Sequence, residues 1–168
     1  VLTDGGLATK DFGTSLRNNA WYVLLVVPLQ TALALFLAIL VNRAMLRGRG
    51  FFRTAYYFPS VTSTVAITVL WMFLFTASGA VNDVLSWFGI NGPNWFNDPR
   101  GILHLALGTV GVDAGPAALT QGGTLGVSWW EWLAGPSVAM SAYILMAIFT
   151  TSGTFMLIFL AGLQNLGA

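Results

Sequence analysis

Three long apolar runs without a charged residue constrain the fold of this chain most strongly; they cover residues 21–41, 55–75 and 138–160. A helix rises about 1.5 Å per residue, so about 20 residues cross the roughly 30 Å hydrocarbon core of a bilayer. Charged residues make up only 8% of the chain, against about 25% in typical soluble domains. The sequence therefore predicts an all-α membrane protein with three transmembrane helices.

An arginine-rich loop at residues 42–54 separates the first two runs. It carries four of the seven Lys and Arg residues, and short basic loops of this kind lie on the cytoplasmic side of a membrane. We therefore predict that this loop is cytoplasmic, with the polar lead-in at 1–18 and the long segment at 76–135 on the other side. The residues that set this orientation are Arg43, Arg47, Arg49 and Arg53.

Small residues in the first run predict a contact with another helix. Ala34 and Ala38 lie four positions apart, so they share a face on which a second helix can approach closely. In the second run, Pro59 fits either the start of a helix or a bend just inside the membrane, because it lacks a backbone N–H.

Hydroxyl side chains interrupt the second and third runs. Those of the second run recur every four residues and therefore share one helix face. Those of the third run stand beside Gly153, where the helix can open or a neighbouring helix can pack. The hydroxyl groups either line a polar pathway or bond to helices, and the sequence leaves both interpretations open. The candidates for pathway lining are Ser60, Thr64, Thr68, Thr150, Thr151 and Ser152.

The segment at 76–135 has a different composition, rich in Gly, Asn, Asp, Pro and Trp, which predicts an extracytoplasmic loop. Its apolar stretch at 102–112 is too short to span a membrane, so we predict an interfacial or packed helix there. The stretch at 111–126 is rich in glycine and favours a loop. A group of three tryptophans is typical of an anchor at the lipid–water boundary: Trp129, Trp130 and Trp132.

Catalytic chemistry has few candidates in this sequence. The chain contains no cysteine, and His104 is its only histidine, so we predict no metal site and no enzyme activity. No ATP-binding signature is present, and we expect no cofactor to be bound by this chain. The net charge of +1 argues against a nucleic-acid surface.

Several phrases, in order, resemble the permease subunits of sugar-type ABC importers, of the maltose and glycerol-3-phosphate class. The phrases are LRNNAWYV at 16–23, LALFLAILVNR at 33–43, GRGFFRTAYYFPSVTSTVAI at 48–67, WMFLFTASGAVNDVLSWFG at 71–89, NWFNDPR at 94–100 and FMLIFLAGLQNL at 155–166. Each phrase is weak alone, but their order and spacing over most of the chain make the combination specific.

The resemblance implies a part of a six-helix permease core in a bacterial-type inner membrane. It implies partners: a second permease subunit, two cytoplasmic ATPases that bind ATP, an extracytoplasmic solute-binding protein and membrane lipid. The solute would be a sugar, which crosses at the interface of the two permeases.

Three departures from the family pattern stand out. Family members continue past the LAGLQ phrase into a Glu-Ala-Ala loop that docks on the ATPase, and they have a further helix before the first run. The stretch at 101–135 resembles an insertion, because the family runs from the NWFNDPR phrase into the next helix, for which GPSVA at 135–139 is the continuation.

The alternative function is a non-transporting membrane scaffold that binds a partner through its Trp-rich outer segment.

Overall fold

The computed structural model describes residues 7–42, 48–109 and 115–165 of the chain. Helices form most of it, with one small two-stranded hairpin in the outer segment. The elements, in chain order, are α1 (Leu7–Asn42), α2 (Arg49–Val61), α3 (Thr64–Leu74), α4 (Ala80–Trp87), α5 (Ile102–Thr109), α6 (Ala117–Thr120), β1 (Gly123–Thr124), β2 (Val127–Ser128), α7 (Trp129–Leu133) and α8 (Val138–Asn165).

Two of the described helices are long and apolar enough to cross a membrane, within Lys10–Asn42 and Val138–Asn165. The pair formed by α2 and α3 adds a third candidate only if the two helices count as one span, because they are bent by 97° at their junction. The mostly helical membrane fold is confirmed, whereas the number of three spans is not.

Helices α1 and α8 pack along much of their length and form the core of the fold. Ala34 and Ala38 are fully buried against Met156 and Leu160 of α8, which confirms the predicted small-residue face. A second buried cluster lies nearer the other end of α1, where Val26 contacts α8. Since lipid tails are as apolar as these side chains, close van der Waals packing is what holds the two helices together.

The second apolar run departs from the single helix expected at 55–75. Helix α2 already begins at Arg49 and ends at Val61, and the extended backbone of Thr62 and Ser63 separates it from α3. The break follows Pro59, which removes one backbone donor. At the end of α2 the Phe58 carbonyl accepts two hydrogen bonds from Thr62, one from the backbone N–H at 3.2 Å and one from the hydroxyl at 2.8 Å.

Gly153 allows α2 to cross α8 in close contact. A β-carbon at this position would overlap the carbonyl oxygen of Tyr56 and lie 3.1 Å from the Cα of Tyr57. Helix α8 stays continuous from Val138 to Asn165, so the glycine packs against a neighbour and does not open the helix. The backbone approach fixes α2, and with it the bend, against the middle of α8.

The ends of the stretch at 101–135 meet in a short antiparallel stem. Gly101 pairs with Ser137, the Val138 N–H donates to the Arg100 carbonyl at 3.0 Å, and the Ile102 N–H donates to the Pro136 carbonyl at 3.0 Å. The chain thus leaves and re-enters the helical core at one place. This geometry is what an insertion between Arg100 and α8 requires.

The inserted stretch folds back onto the first turns of α1. The α1 helix begins at Leu7, so the described part of the expected lead-in at 1–18 is helical and packed, not simply solvated. Gly13 lies against the Leu125 carbonyl, and Gly126 contacts Lys10. Leu125 and Gly126 both have positive φ and form the turn between β1 and β2, an arrangement typical of two-residue hairpin loops.

The predicted helix at 102–112 is observed as α5 over Ile102–Thr109; residues 110–112 lie outside the described part. The predicted loop at 111–126 contains the short helix α6 and the strand β1 in its described residues. His104 stacks on Trp130 with ring centroids 4.6 Å apart, and the side chain of Trp130 is therefore half-buried within the insertion.

Candidate functional site

A cleft of about 350 Å³ lies between the bent pair α2–α3 and helix α8. Hydroxyl groups from both sides of the cleft dominate its polar surface, and Ile67, Met146 and Phe155 supply apolar wall. Among the described residues that line it, none is charged. The hydroxyl residues are Ser60, Thr62, Thr64, Thr68, Thr150, Thr151 and Thr154.

The bend explains why these residues meet. Ser60 and Thr62 end α2, whereas Thr64 and Thr68 occupy the first turns of α3 on one face. A straight helix would carry Ser60 well over a turn away from Thr68 along one axis. The right-angled junction instead turns both toward α8.

Five of the six residues proposed for pathway lining are brought together at this cleft: Ser60, Thr64, Thr68, Thr150 and Thr151. Ser152 is not among them. It is 6% exposed and lines a separate apolar cavity of about 530 Å³ on another face of α8, beside Trp71 and Phe149. The role of the five as pathway lining remains a prediction.

Most of the hydroxyl protons in the cleft are directed to backbone carbonyls of the same helix. Ser60 donates to Tyr57 at 2.7 Å, Thr68 to Thr64 at 2.8 Å, and Thr150 to Met146 at 2.9 Å. Bonding to the helix and lining a cleft are therefore compatible for these side chains. Because these protons are engaged, the oxygens of these hydroxyl groups face the cleft chiefly as acceptors.

Thr151 has a second partner, which sequence analysis missed. Its Oγ1 lies 2.8 Å from Oε1 of Gln30 on α1 and 2.6 Å from the Ala147 carbonyl oxygen. Gln30 is the one amide side chain inside the apolar run at 21–41. A single amide in such a run could have been recognised from the sequence as a residue that bonds to another helix. The pair joins the wall of the cleft to α1.

Trp71 attaches the other end of α3 to α8. Its indole N–H donates to the Ala142 carbonyl at 2.9 Å, and its ring lies 5.1 Å from Phe75 and 5.5 Å from Phe149. Trp95 contacts Phe75 edge-on, so loop residues continue the aromatic cluster. This cluster holds α3 in place and leaves its hydroxyl face toward the cleft.

The basic residues that were predicted to orient the chain are only partly described. Arg43 and Arg47 lie outside the described residues, and Arg49 begins α2. Arg53 is half-buried on α2, and within the described ranges its Nε has no hydrogen-bond partner.

No group of three or more potential metal ligands occurs in the part of the chain that the structure describes.

Two helices long and apolar enough to cross a membrane, with an uncharged cleft lined by hydroxyl and apolar side chains, indicate a multi-pass membrane protein. Among curated proteins, this chain is similar to the permease proteins of ABC transporters. A probable ABC transporter permease protein of Pyrococcus horikoshii is 32% identical over 156 residues, and the probable permease protein YesP of Bacillus subtilis is 30% identical over 158. The lactose transport system permease protein LacF of Rhizobium radiobacter is 37% identical over 90 residues.

These matches cover 92%, 94% and 52% of this chain, but only 41%, 39% and 30% of the respective relatives. The chain therefore spans less than half the length of the curated relatives it matches. No family model matches the chain, and no solved structure matches it significantly. The resemblance to ABC importer permeases is confirmed by the relatives, and so is the location in a cell membrane.

Proposed function

We propose that this chain is part of the permease subunit of an ABC importer and that the cleft between α3 and α8 belongs to the translocation pathway. The permease relatives support the role and favour it over the membrane scaffold. The main support for a pathway at this cleft is that hydroxyl residues from two separate apolar runs line it together.

The solute that fits this chemistry is a sugar or a related polyol. Hydroxyl oxygens that act as acceptors suit a ligand with many O–H donors, and apolar side chains suit the faces of a sugar ring. An ion pathway in a membrane ordinarily relies on intramembrane carboxylates. The described lining of this cleft contains only neutral residues.

Other chains supply the energy and the delivery of solute in this proposal. Two cytoplasmic ATPases hydrolyse ATP, an extracytoplasmic solute-binding protein delivers the sugar, and a second permease subunit completes the pathway. This chain binds no cofactor and catalyses no reaction. Closure of the ATPases moves the paired permeases between inward and outward access.

Uptake by the complete transporter tests the proposal. Replacing Thr64, Thr68 and Thr150 by valine keeps the shape of each side chain and removes its oxygen. We expect solute uptake to fall while the variant still assembles in the membrane. The matched control is Ser152→Ala, which removes a hydroxyl from the same helix outside the cleft. Normal uptake in the triple variant would refute the lining assignment.

Orientation follows from the arginine-rich loop and is tested separately. The chain has no cysteine, so single cysteines report cleanly. A cysteine at Gly50, which has open space around its Cα, should be protected from an impermeant thiol reagent in intact cells. One at the exposed Gln121 should react. The reverse pattern would overturn the orientation.

A further inference from the structure

An apolar groove of about 480 Å³ lies where the inserted stretch meets α1. Three different elements form its walls, and nearly all of the wall surface is apolar. Trp129 is 45% exposed and Leu133 51% exposed, so the groove is open to its surroundings. The large side chains that line the groove are Trp21 and Leu24 of α1, Leu119 of α6, and Trp129, Trp132 and Leu133 of α7.

Polar bonds hold the two sides of the groove in register. The Trp21 indole N–H donates to the Trp132 carbonyl at 2.9 Å, and Nη1 of Arg17 donates to the Glu131 carbonyl at 3.2 Å. Helix α7 is fixed in turn by a capping box between Ser128 and Glu131. The groove is therefore a built feature of the fold, not a gap between loose segments.

The position of the groove along α1 coincides with a change in the character of that helix. Lys10, Asp11 and Arg17 lie in the first turns, and no further charge occurs along α1 up to Asn42. At about 1.5 Å per residue, the 36 residues of α1 extend roughly 54 Å, more than the roughly 40–45 Å of a whole bilayer. With the uncharged part of α1 in the hydrocarbon core, the charged turns lie outside that core, and the groove begins one turn below Arg17.

The surface of α1 continues from the groove into the membrane. Leu24 forms part of the groove and is 61% exposed, and Val27, one turn further along the helix, is 51% exposed. Nothing polar separates the two. The apolar wall of the groove is thus continuous with an exposed apolar surface of the first candidate span, and its indole rings lie at the charged end of that span, where tryptophan favours the headgroups.

We propose that this groove binds one acyl chain of a bilayer phospholipid from the adjacent leaflet. The inserted stretch is then held against the membrane surface by lipid as well as by α1. This role is independent of the proposed transport pathway, because the cleft at the bend shares no lining residue with the groove. It gives the predicted tryptophan anchor a defined partner at Trp129 and Trp132, whereas Trp130 packs on His104.

Photo-crosslinking from lipid to protein tests the proposal. The full chain is placed in phosphatidylcholine vesicles in which some acyl chains carry a diazirine, irradiated, digested and analysed by mass spectrometry. We expect adducts on Leu119 and Leu133, which belong to the inserted stretch and not to a span. Adducts confined to α1, α3 and α8 would overturn the proposal.

A groove-filling variant makes the test specific. Ala20→Phe puts a phenyl ring into the groove from an exposed position on α1, and we expect the adducts on α6 and α7 to be lost. Ala66→Phe makes the same change at an exposed position of α3 outside the groove and should leave them unchanged. Adducts that persist in Ala20→Phe would contradict an acyl-chain site. The same crosslinking is then repeated in native membranes. Adducts on α6 and α7 that form in vesicles but not in native membranes would mean that a protein, and not lipid, fills the groove there.

Discussion

Gly153 on α8 lies so close to Tyr56 on α2 that a β-carbon at position 153 would overlap the Tyr56 carbonyl oxygen. This contact sets the distance between the two helices at the place where the bend faces α8. The cleft therefore depends on a residue that does not line it.

Gly153→Ala should separate α2 from α8. Because backbone atoms and not a flexible side chain occupy the space, we expect destabilisation of about 1–3 kcal/mol and a loss of uptake by the complete transporter. Thermal unfolding in detergent and uptake measure the two effects. Gly162→Ala is the control on the same helix, since a β-carbon there meets nothing within 4 Å. Equal effects of the two changes would show that the crossing does not govern the cleft.

Gln30 and Thr151 should be energetically coupled across the interface of α1 and α8. In a double-mutant cycle with Gln30→Met and Thr151→Val, we expect a coupling energy of about 0.6 kcal/mol and at most about 1.7 kcal/mol. Unfolding in detergent measures it. Thr31→Val is the matched control, because the Thr31 hydroxyl bonds only within α1, to the Val27 carbonyl at 2.7 Å. A coupling of zero would mean that the observed bond does not stabilise the helix pair.

The inserted stretch should be removable without loss of the membrane core. Since Ile102 and Pro136 are already joined by a backbone hydrogen bond, a short flexible Gly-Ser linker can replace residues 103–135. We expect the shortened chain to accumulate in the membrane with the same protease-protected fragments. A chain that is degraded or fails to insert would show that the stretch is needed for the core to fold.

The capping box on α7 should weaken at low pH. The Ser128 backbone N–H donates to the Glu131 carboxylate at 2.9 Å and lowers the pKa of Glu131 below its ordinary value of 4.5. Burial opposes this shift, whereas the nearby charges of Lys10 and Arg17 lower the pKa further. Because the folded pKa is the lower one, this carboxylate stabilises the fold fully above pH 4.5, and the contribution disappears as the pH falls through the folded pKa.

Hydrogen exchange of the α7 amides measures this effect. We expect the protection of these amides, relative to their intrinsic exchange rate at each pH, to fall in the acid range for the natural chain. The pH profile of this protection should be flatter for Glu131→Gln, which keeps a capping side chain but does not titrate. Ser128→Ala should cost about 1 kcal/mol at neutral pH, because it removes the cap itself. An unchanged pH profile in Glu131→Gln would assign the acid sensitivity to another group.

The sequence predicted those features that follow from one-dimensional patterns. The small face at Ala34 and Ala38 and the start of α8 at Val138 depend on spacing and on the loss of charge, and both agree with the structure. The ends of the stretch that was predicted as an insertion meet at Gly101 and Ser137, as an insertion requires, and its absence from the relatives stays a prediction. These features need no knowledge of how distant elements pack.

Tertiary contacts account for the features that the sequence did not predict. An uncharged run of 21 residues fits one straight span and Pro59 allowed a bend, but neither the 97° junction after Val61 nor the approach of α2 to Gly153 follows from the pattern alone. Ser152 follows Thr151 in the chain but lines a different cavity, a separation that proximity in sequence does not reveal. The helical turns before Trp21 likewise depend on their contact with β2 and α7.

The accessibility of Thr68 to water and solute tests the central claim most directly. In an otherwise cysteine-free transporter, Thr68→Cys should react with a hydrophilic thiol reagent, and the transported solute should slow that reaction. Ser152→Cys, buried on the other side of α8, should react slowly and without an effect of solute. An unreactive Thr68→Cys, or labelling that the solute does not change, would contradict a pathway through the cleft.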